Sequence, residues 1–383
     1  MSFGPHHYVP VLKVKRGEKK ALQLVESSLR PRITPLFEIV ERRPEKSPTI
    51  EGHLETAFKD LVESVQGYPS CFLDARELAQ DGAAAASTIF QRAADAAMPF
   101  IPVTGISRVT DVDAAMDHRE RGLAIRLTRE EFERGGLATS LARFMATHGL
   151  EHEATDLVVD LGPVDDMIAP GVMAFAEAFL SDVPDHPRWR TFTISACAFP
   201  RGMGGLERHS HDFVDRIDWI AWRDGLRAKR EDMQRLPTFS DGAIQHPVGV
   251  EGFNPLTMQA SASVRYTLPE QWLRIKGQGL RTKSGKLQFP TLAKRLVYGD
   301  LREHYAGADH CEGCRLIKRA ADGAPKLGSL EAWRRLAAEH HPDSMAARGA
   351  PSEFLRIAHE KMATINAAYD KIRKERGLRQ IAD

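Results

Sequence analysis

Short apolar, β-branched runs recur along the first 200 residues, at Tyr8–Val14, Ile33–Val40, Cys71–Asp74, Phe100–Thr104, Leu123–Leu127, Leu157–Leu161 and Thr191–Ala198. Between them apolar residues fall at helical spacing. Arg16–Leu29 carries Ala21, Leu22, Leu24 and Val25, and His53–Val65 sets Leu54, Ala57, Phe58, Leu61 and Val62 on one face. Gly82–Met98, Val112–Arg121, Leu137–His148 and Met167–Leu180 read as further helices. Strands alternating with helices predict βαβ units and a parallel sheet. A helix over Asp212–Gln234 and a strand over Pro237–Ile244 bring the count to eight, which points to a (β/α)8 TIM-like barrel. An open doubly wound sheet is the alternative. Its Gly-rich first turn is missing, because Lys13–Glu18 holds only Gly17, so the barrel is preferred.

After Pro247 the pattern changes. Ser263–Leu268 and Trp272–Lys276 read as strands, Gly277-Gln278-Gly279 as a flexible break and Gln288–Tyr298 as a helix. Gly307–Gly328 reads as a loop. Leu330–His340 and Ser352–Glu375 are strongly helical. The expected organisation is a barrel over 1–247, a small α+β extension over 248–328 and a C-terminal helical hairpin over 329–383.

Composition narrows the class. Apolar residues make up 42% of 383, enough for a sizeable core. Lys plus Arg number 53 against 52 acids, so the net charge of +1 excludes a generic polybasic nucleic-acid binder but not a local basic groove. No apolar run approaches the roughly 18 residues of a membrane span. Met1–Tyr8 lacks the layout of a signal peptide. Four cysteines do not make a disulfide framework, so a cytoplasmic setting without membrane contact is expected.

Barrels of this kind place chemistry where strands end. Those ends are Lys13, Glu38, Asp74, Thr104, Arg126, Asp160, Ser195 and Asp241. The acids Glu38, Asp74, Asp160 and Asp241 are candidate catalytic groups, able to hold magnesium or to divide acid and base roles in a metal-dependent hydrolase. Lys13, Arg126 and nearby Arg16, with Ser195, are candidate ligands for a phosphate-bearing or nucleic-acid partner. Against this, strand ends are wet, and charge is common there. No HExxH, GxSxG or P-loop is present, so no reaction class is implied.

Cys311 and Cys314 have the spacing of a zinc knuckle, with His310 the nearest candidate third ligand. Free thiols are the plainer reading. A redox role is disfavoured because the pair does not sit at a predicted strand-to-helix junction. The basic stretch Arg274–Lys286, with Lys276, Arg281, Lys283 and Lys286, reads as a solvated hairpin before a nucleic-acid contact.

Two resemblances follow from particular residues. Trp333-Arg334-Arg335-Leu336, His341-Pro342-Asp343 and Ile365-Asn366-Ala367-Ala368-Tyr369 resemble the second and third helices of a DjlA-type J-domain. The resemblance spans Glu331–Gly377 and implies an Hsp70 partner engaged by His341, Pro342 and Asp343. The first J-domain helix has no room before Glu331, so the module is truncated. Tyr8–Lys13 with Gly17-Glu18, Ile33–Glu38, Phe239–Gly242, His310–Cys314 and Gly328–Arg335 resemble the "beta protein" family of temperate phages and bacterial genomes. That resemblance implies an accessory protein of prophage, host-exclusion or antiviral-defence loci.

Overall fold

Residues two apart on a strand share a face, and this rule organises the barrel. The computed structural model describes residues 3–4, 6–82, 84–248, 260–281 and 288–323. Eight parallel strands close on themselves: β1 (Tyr8–Lys13), β2 (Leu36–Glu38), β3 (Cys71–Asp74), β4 (Phe100–Thr104), β5 (Leu123–Thr128), β6 (Thr155–Pro163), β7 (Thr191–Cys197) and β9 (Thr238–Asp241). β1 pairs with both β2 and β9, which shuts the cylinder. The fold is therefore the TIM-like barrel that the alternation predicts.

One face of each strand looks into the cylinder. Val9, Leu36, Phe72, Ile101, Val103, Ala124 and Val158 form the apolar inner layer, with Phe3 joining them. The opposite faces bury Phe37, Leu73, Ile125, Leu127, Leu157 and Val159 against the surrounding helices. The main helices are α1 (Arg16–Leu24), α2 (Ile50–Phe58), α3 (Leu61–Ser64), α4 (Ala84–Asp95), α5 (Val112–Asp117), α6 (Arg129–Glu133), α7 (Leu137–Thr147) and α8 (Ala169–Ser181). Two residues beyond Leu36, Phe72, Ala124 and Val158 on the same inner face stand Glu38, Asp74, Arg126 and Asp160. The apolar plug thus gives way to a charged layer at the mouth.

Three expectations are corrected. The stretch after Asp212 is not helical throughout. His211–Asp215 is a strand, β8, because all five residues pair antiparallel with β11 (Gln271–Gly279) and Asp212 meets Arg274 across the ladder. Only then follow α9 (Ile217–Ile220) and a π-helical turn over Ala221–Leu226. Second, Gly277 does not break the chain but lies inside β11. A Cβ there would stand 2.5 Å from Gln288 Oε1, so the glycine serves close packing. Third, the loop expected over 307–328 contains α11 (Glu312–Ala321), whose Cys314, Ile317 and Ala321 turn one apolar stripe inward.

β10 (Ser261–Thr267), β11 and β8 form an antiparallel sheet, covered by α10 (Phe289–Val297) and α11. Trp272 of β11 joins the barrel core and meets the Phe199 ring edge to face at 5.1 Å. Among the described residues no helix is long and apolar enough to cross a membrane.

Candidate functional site

Lys13, Glu38 and Asp74 occupy one register across β1, β2 and β3. Arg126 reaches them from β5, on the far side of the mouth. Its Nη1 donates to Glu38 Oε1 at 2.7 Å and to Asp74 Oδ2 at 2.9 Å, and its Nε donates to Asp160 Oδ2 at 2.9 Å. Arg126 is only 3% exposed, so three carboxylates are gathered on one buried guanidinium. Lys13 Nζ ion-pairs with Glu38 at 2.6 Å and with Glu77 at 3.1 Å. Arg108 donates to Asp74 Oδ1 at 2.6 Å, and Arg76 stands 3.6 Å from Asp160.

Burial alone would raise the Glu38 carboxyl, but Arg126 and Lys13 outweigh it and hold it at about 2. Asp74 is likewise driven well below the usual carboxylate range by Arg108 and Arg126 against its burial. Burial would weaken the protonated Arg126, yet Asp160, Glu38 and Asp74 push it well above its ordinary value. Glu38 and Asp74 are therefore ionised, and Glu38, Asp74 and Asp160 each have an oxygen committed to a guanidinium. A divalent cation would need the space and the lone pairs that Arg126 occupies, so the residues present do not fit magnesium. Among the described residues no group of three or more His, Cys, Asp or Glu side chains is placed to hold a metal ion.

Asp241 stands apart from this network. The Tyr8 hydroxyl donates to its Oδ1, and the Ala243 N–H donates to the same oxygen at 2.9 Å. Its neighbour is Asp218, which accepts from Ala198 N–H at 3.0 Å and Trp219 N–H at 2.7 Å. Burial, then the Asp241 charge, raise Asp218 to about 7. Burial also raises Asp241, although Tyr8 and Ala243 oppose it. Ser195 is buried in β7, in register with Asp160 and Ser240.

Beside the mouth, a cleft of about 850 Å³ opens between the barrel loops and the β10–β11 sheet. Its walls carry six cations, Lys13, Lys15, Arg43, Lys46, Arg265 and Lys276, against two acids, Glu41 and Glu77. Lys276 donates to the carbonyls of Met203 and Leu206 at 2.8 and 2.6 Å, and Arg265 to that of Ile244 at 2.7 Å. Neutral acceptors hold these groups in place without cancelling their charge. Partial burial lowers the Lys15 ammonium; Glu18 opposes this, while Lys13, Arg265 and Arg43 add to it. With its amide oriented to satisfy both neighbours, Gln245 accepts from Lys15 and donates to Glu18 at 2.8 Å. Neither Arg16, exposed at the start of α1, nor Arg126, sealed beneath its carboxylates, lines this cleft.

Cys311 caps α11, and its Sγ lies 3.5 Å from that of Cys314. His310 is exposed beside them. Two sulfurs are half the usual ligand set of a structural zinc. Arg274 is buried and bound to Asp212 and to the Gly202 carbonyl, so it is no solvated hairpin cation. Lys283, Lys286 and the J-like residues His341, Pro342 and Asp343 lie outside the described residues.

Strand ends alone do not reveal Arg76, Glu77, Arg108, Lys15, Arg43 or Asp218. The first four lie within a few residues beyond the strand ends Asp74, Thr104 and Lys13, so reading each βα loop as well would have found them. Arg43, five residues past Glu38, and Asp218, inside an apparent helix, carry no such signal.

The family model described as "Beta protein" matches residues 8–346. Among curated proteins, the chain is 39% identical to the co-chaperone protein DjlA of Photorhabdus laumondii over 83 residues, which are 21% of this chain and 30% of that one. It is 50% identical to DjlA of Shewanella oneidensis over 48 residues, 12% and 18% of the two chains. The chain thus spans under a third of the length of these two relatives. Among solved structures, triosephosphate isomerase from Bartonella henselae aligns over 62% of this chain and 93% of its own, at 11% identity and a TM-score of 0.26.

Proposed function

The chain belongs to the beta protein family, and we propose that it acts there as a binding protein whose cationic cleft takes up a phosphate-bearing ligand. The observation that carries this is the excess of four positive charges, six cations less two acids, around a cleft of about 850 Å³. That volume lies within the range of small-ligand sites and suits a nucleotide or the end of an oligonucleotide. Like charges crowded together cost free energy that a bound polyanion recovers. Lys13 borders the cleft as well as the mouth, so it links the ligand to the Arg126 network. In this reading Glu38, Asp74 and Asp160 are the counter-charges of Arg126 rather than catalysts or metal ligands.

The family resemblance supports a prophage or antiviral-defence accessory role as the setting of this binding. The test is titration of the full chain with a labelled short oligonucleotide and a nucleoside triphosphate at several salt concentrations. Lys15→Glu and Arg43→Glu should each weaken binding and lower the salt slope by about one. Absence of salt-dependent binding, or variants that bind like the parent, would overturn the reading. The same variants should lose any protection of a host against phage infection.

The match to DjlA supports a second reading, an adaptor for Hsp70 through His341, Pro342 and Asp343. Stimulation of Hsp70 ATPase by the full chain, abolished by His341→Gln, is the expected result. No stimulation by the parent rejects it.

A further inference from the structure

We propose that Cys311 and Cys314 form a thiol–disulfide exchange site acting on low-molecular-weight disulfides, with Cys311 attacking, Cys314 resolving and Tyr266 positioning Cys314. The two sulfurs differ in exposure and in hydrogen-bond partners, as such a division requires. Cys311 is exposed, and Cys314 is 2% exposed. Cys311 sits at the start of the ten-residue helix α11, where the Cys314 N–H donates to its Sγ at 3.4 Å. A backbone donor and the positive end of a helix thus both face that sulfur. The Sγ–Sγ distance of 3.5 Å is about 1.5 Å longer than a disulfide, a gap that side-chain rotation can close.

Tyr266 supplies the second half of the device. Its hydroxyl oxygen accepts from the Ala306 N–H at 3.0 Å and lies 3.2 Å from Cys314 Sγ. With a lone pair engaged by Ala306, the tyrosine proton is free to point at the sulfur. Burial raises the Cys314 thiol while the Tyr266 hydrogen bond works against it. The buried thiol is therefore held in reserve until its neighbour has reacted, and Tyr266 then stabilises the thiolate that resolves.

The exchange balances in two steps. The Cys311 thiolate attacks one sulfur of the substrate disulfide, forming a mixed disulfide and expelling the first substrate thiolate. The Cys314 thiolate then attacks Cys311 Sγ, forming the Cys311–Cys314 disulfide and expelling the second. Two electrons pass from the pair to the substrate, and the two thiol protons end on the two expelled sulfurs.

The test uses the full reduced chain and oxidised glutathione. In the parent chain, Cys311 should be alkylated at least about tenfold faster than Cys314, because Cys311 is exposed and Cys314 is buried. Oxidised glutathione should convert the pair to an internal disulfide, seen by peptide mass mapping. Cys314→Ser should instead accumulate glutathione on Cys311, and Cys311→Ser should accumulate none. Tyr266→Phe should slow resolution about fivefold, the worth of one hydrogen bond, and leave Cys311 alkylation unchanged. Equal alkylation of the two cysteines, or no internal disulfide, overturns the proposal. So does one zinc per chain released when the thiols are blocked, which would make the pair metal ligands.

Discussion

Glu38 and Arg126 are 88 residues apart in the chain, yet the Arg126 Nη1 donates to Glu38 Oε1 at 2.7 Å across the barrel mouth. Asp74 and Asp160 bind the same guanidinium. Arg126→Met would leave three buried carboxylates facing one another with their central counter-charge gone. The expected loss is about 3–5 kcal/mol at neutral pH, because removing one partner leaves the others uncompensated. Urea unfolding of parent and variant measures it. The pH dependence distinguishes this cause from lost packing. Glu38 titrates at about 2 in the fold against an ordinary 4.5, so its stabilisation is complete above pH 4.5 and is lost as pH falls towards 2. Without Arg126 that acid limb should flatten.

Asp218 has the opposite sign. Its folded value of about 7 lies above the ordinary 3.8, so the folded chain keeps a proton that the unfolded chain releases. Stability from this group is present below about pH 4 and declines as pH rises to about 7. Asp218→Asn removes the ionisation and should reduce that decline by on the order of 2–4 kcal/mol. Asn keeps only one acceptor oxygen for the Ala198 and Trp219 N–H groups, so the variant should be less stable at pH 4 while closing the gap at pH 8. Denaturation midpoints of both chains at the two pH values give the difference in slope, in which contributions from other titrating groups cancel. Parallel profiles for parent and variant would reject the assignment.

The barrel was legible because two periodicities persist side by side. Runs such as Cys71–Asp74 and Leu157–Leu161 cannot bury both faces outside a covered parallel sheet, and the helices between them present single apolar stripes. The strand-end charges were legible for the same reason, since position along a strand determines height in the barrel. Their pairing was not. Whether Arg126 meets Asp160 alone or Glu38 and Asp74 as well depends on closure of the cylinder, which lets a side chain of β5 reach across the mouth to β2 and β3. The cleft cations were hidden differently. Lys15, Arg43 and Arg265 come from separate loops and a different sheet, and only the docking of β10–β11 beside the barrel makes them neighbours. Helix α11 was missed because Gly307, Gly313 and Gly323 imitate a loop. Glu312, Arg315 and Lys318 are its solvent face rather than the polar content of a turn.

Gly122 has a φ of +112° and lies against the guanidinium of Arg190. An added Cβ would fall 2.0 Å from Arg190 Nη1. That side chain cannot swing away freely, because Asp156 binds it and Arg121 accepts from it at 2.8 Å. Gly122→Ala should therefore cost about 2–4 kcal/mol, combining backbone strain with a displaced ion pair. In an Arg190→Ala background the same change should cost only about 1–2 kcal/mol, the backbone part. Equal costs in the two backgrounds would show that Arg190 is not the obstacle.

Trp272 ties the second sheet to the barrel. It is 1% exposed within the barrel core, packs edge to face on Phe199, and lies beneath the Arg216 guanidinium at 5.8 Å from the ring centroid. Its strand neighbours Leu273 and Ile275 belong to the separate core under α10 and α11. Trp272→Ala should cost about 3–5 kcal/mol through the cavity it leaves. The loss should fall mainly on the contact between the two cores, because each retains its own remaining apolar cluster. Unfolding should then separate into two transitions, with Tyr266 and Tyr305 reporting the sheet and Trp189 and Trp222 the barrel. The cationic cleft lies between these parts, so polyanion binding by the variant should weaken even at temperatures where the barrel transition has not begun. A single transition with unchanged binding would show that other contacts hold the sheet in place.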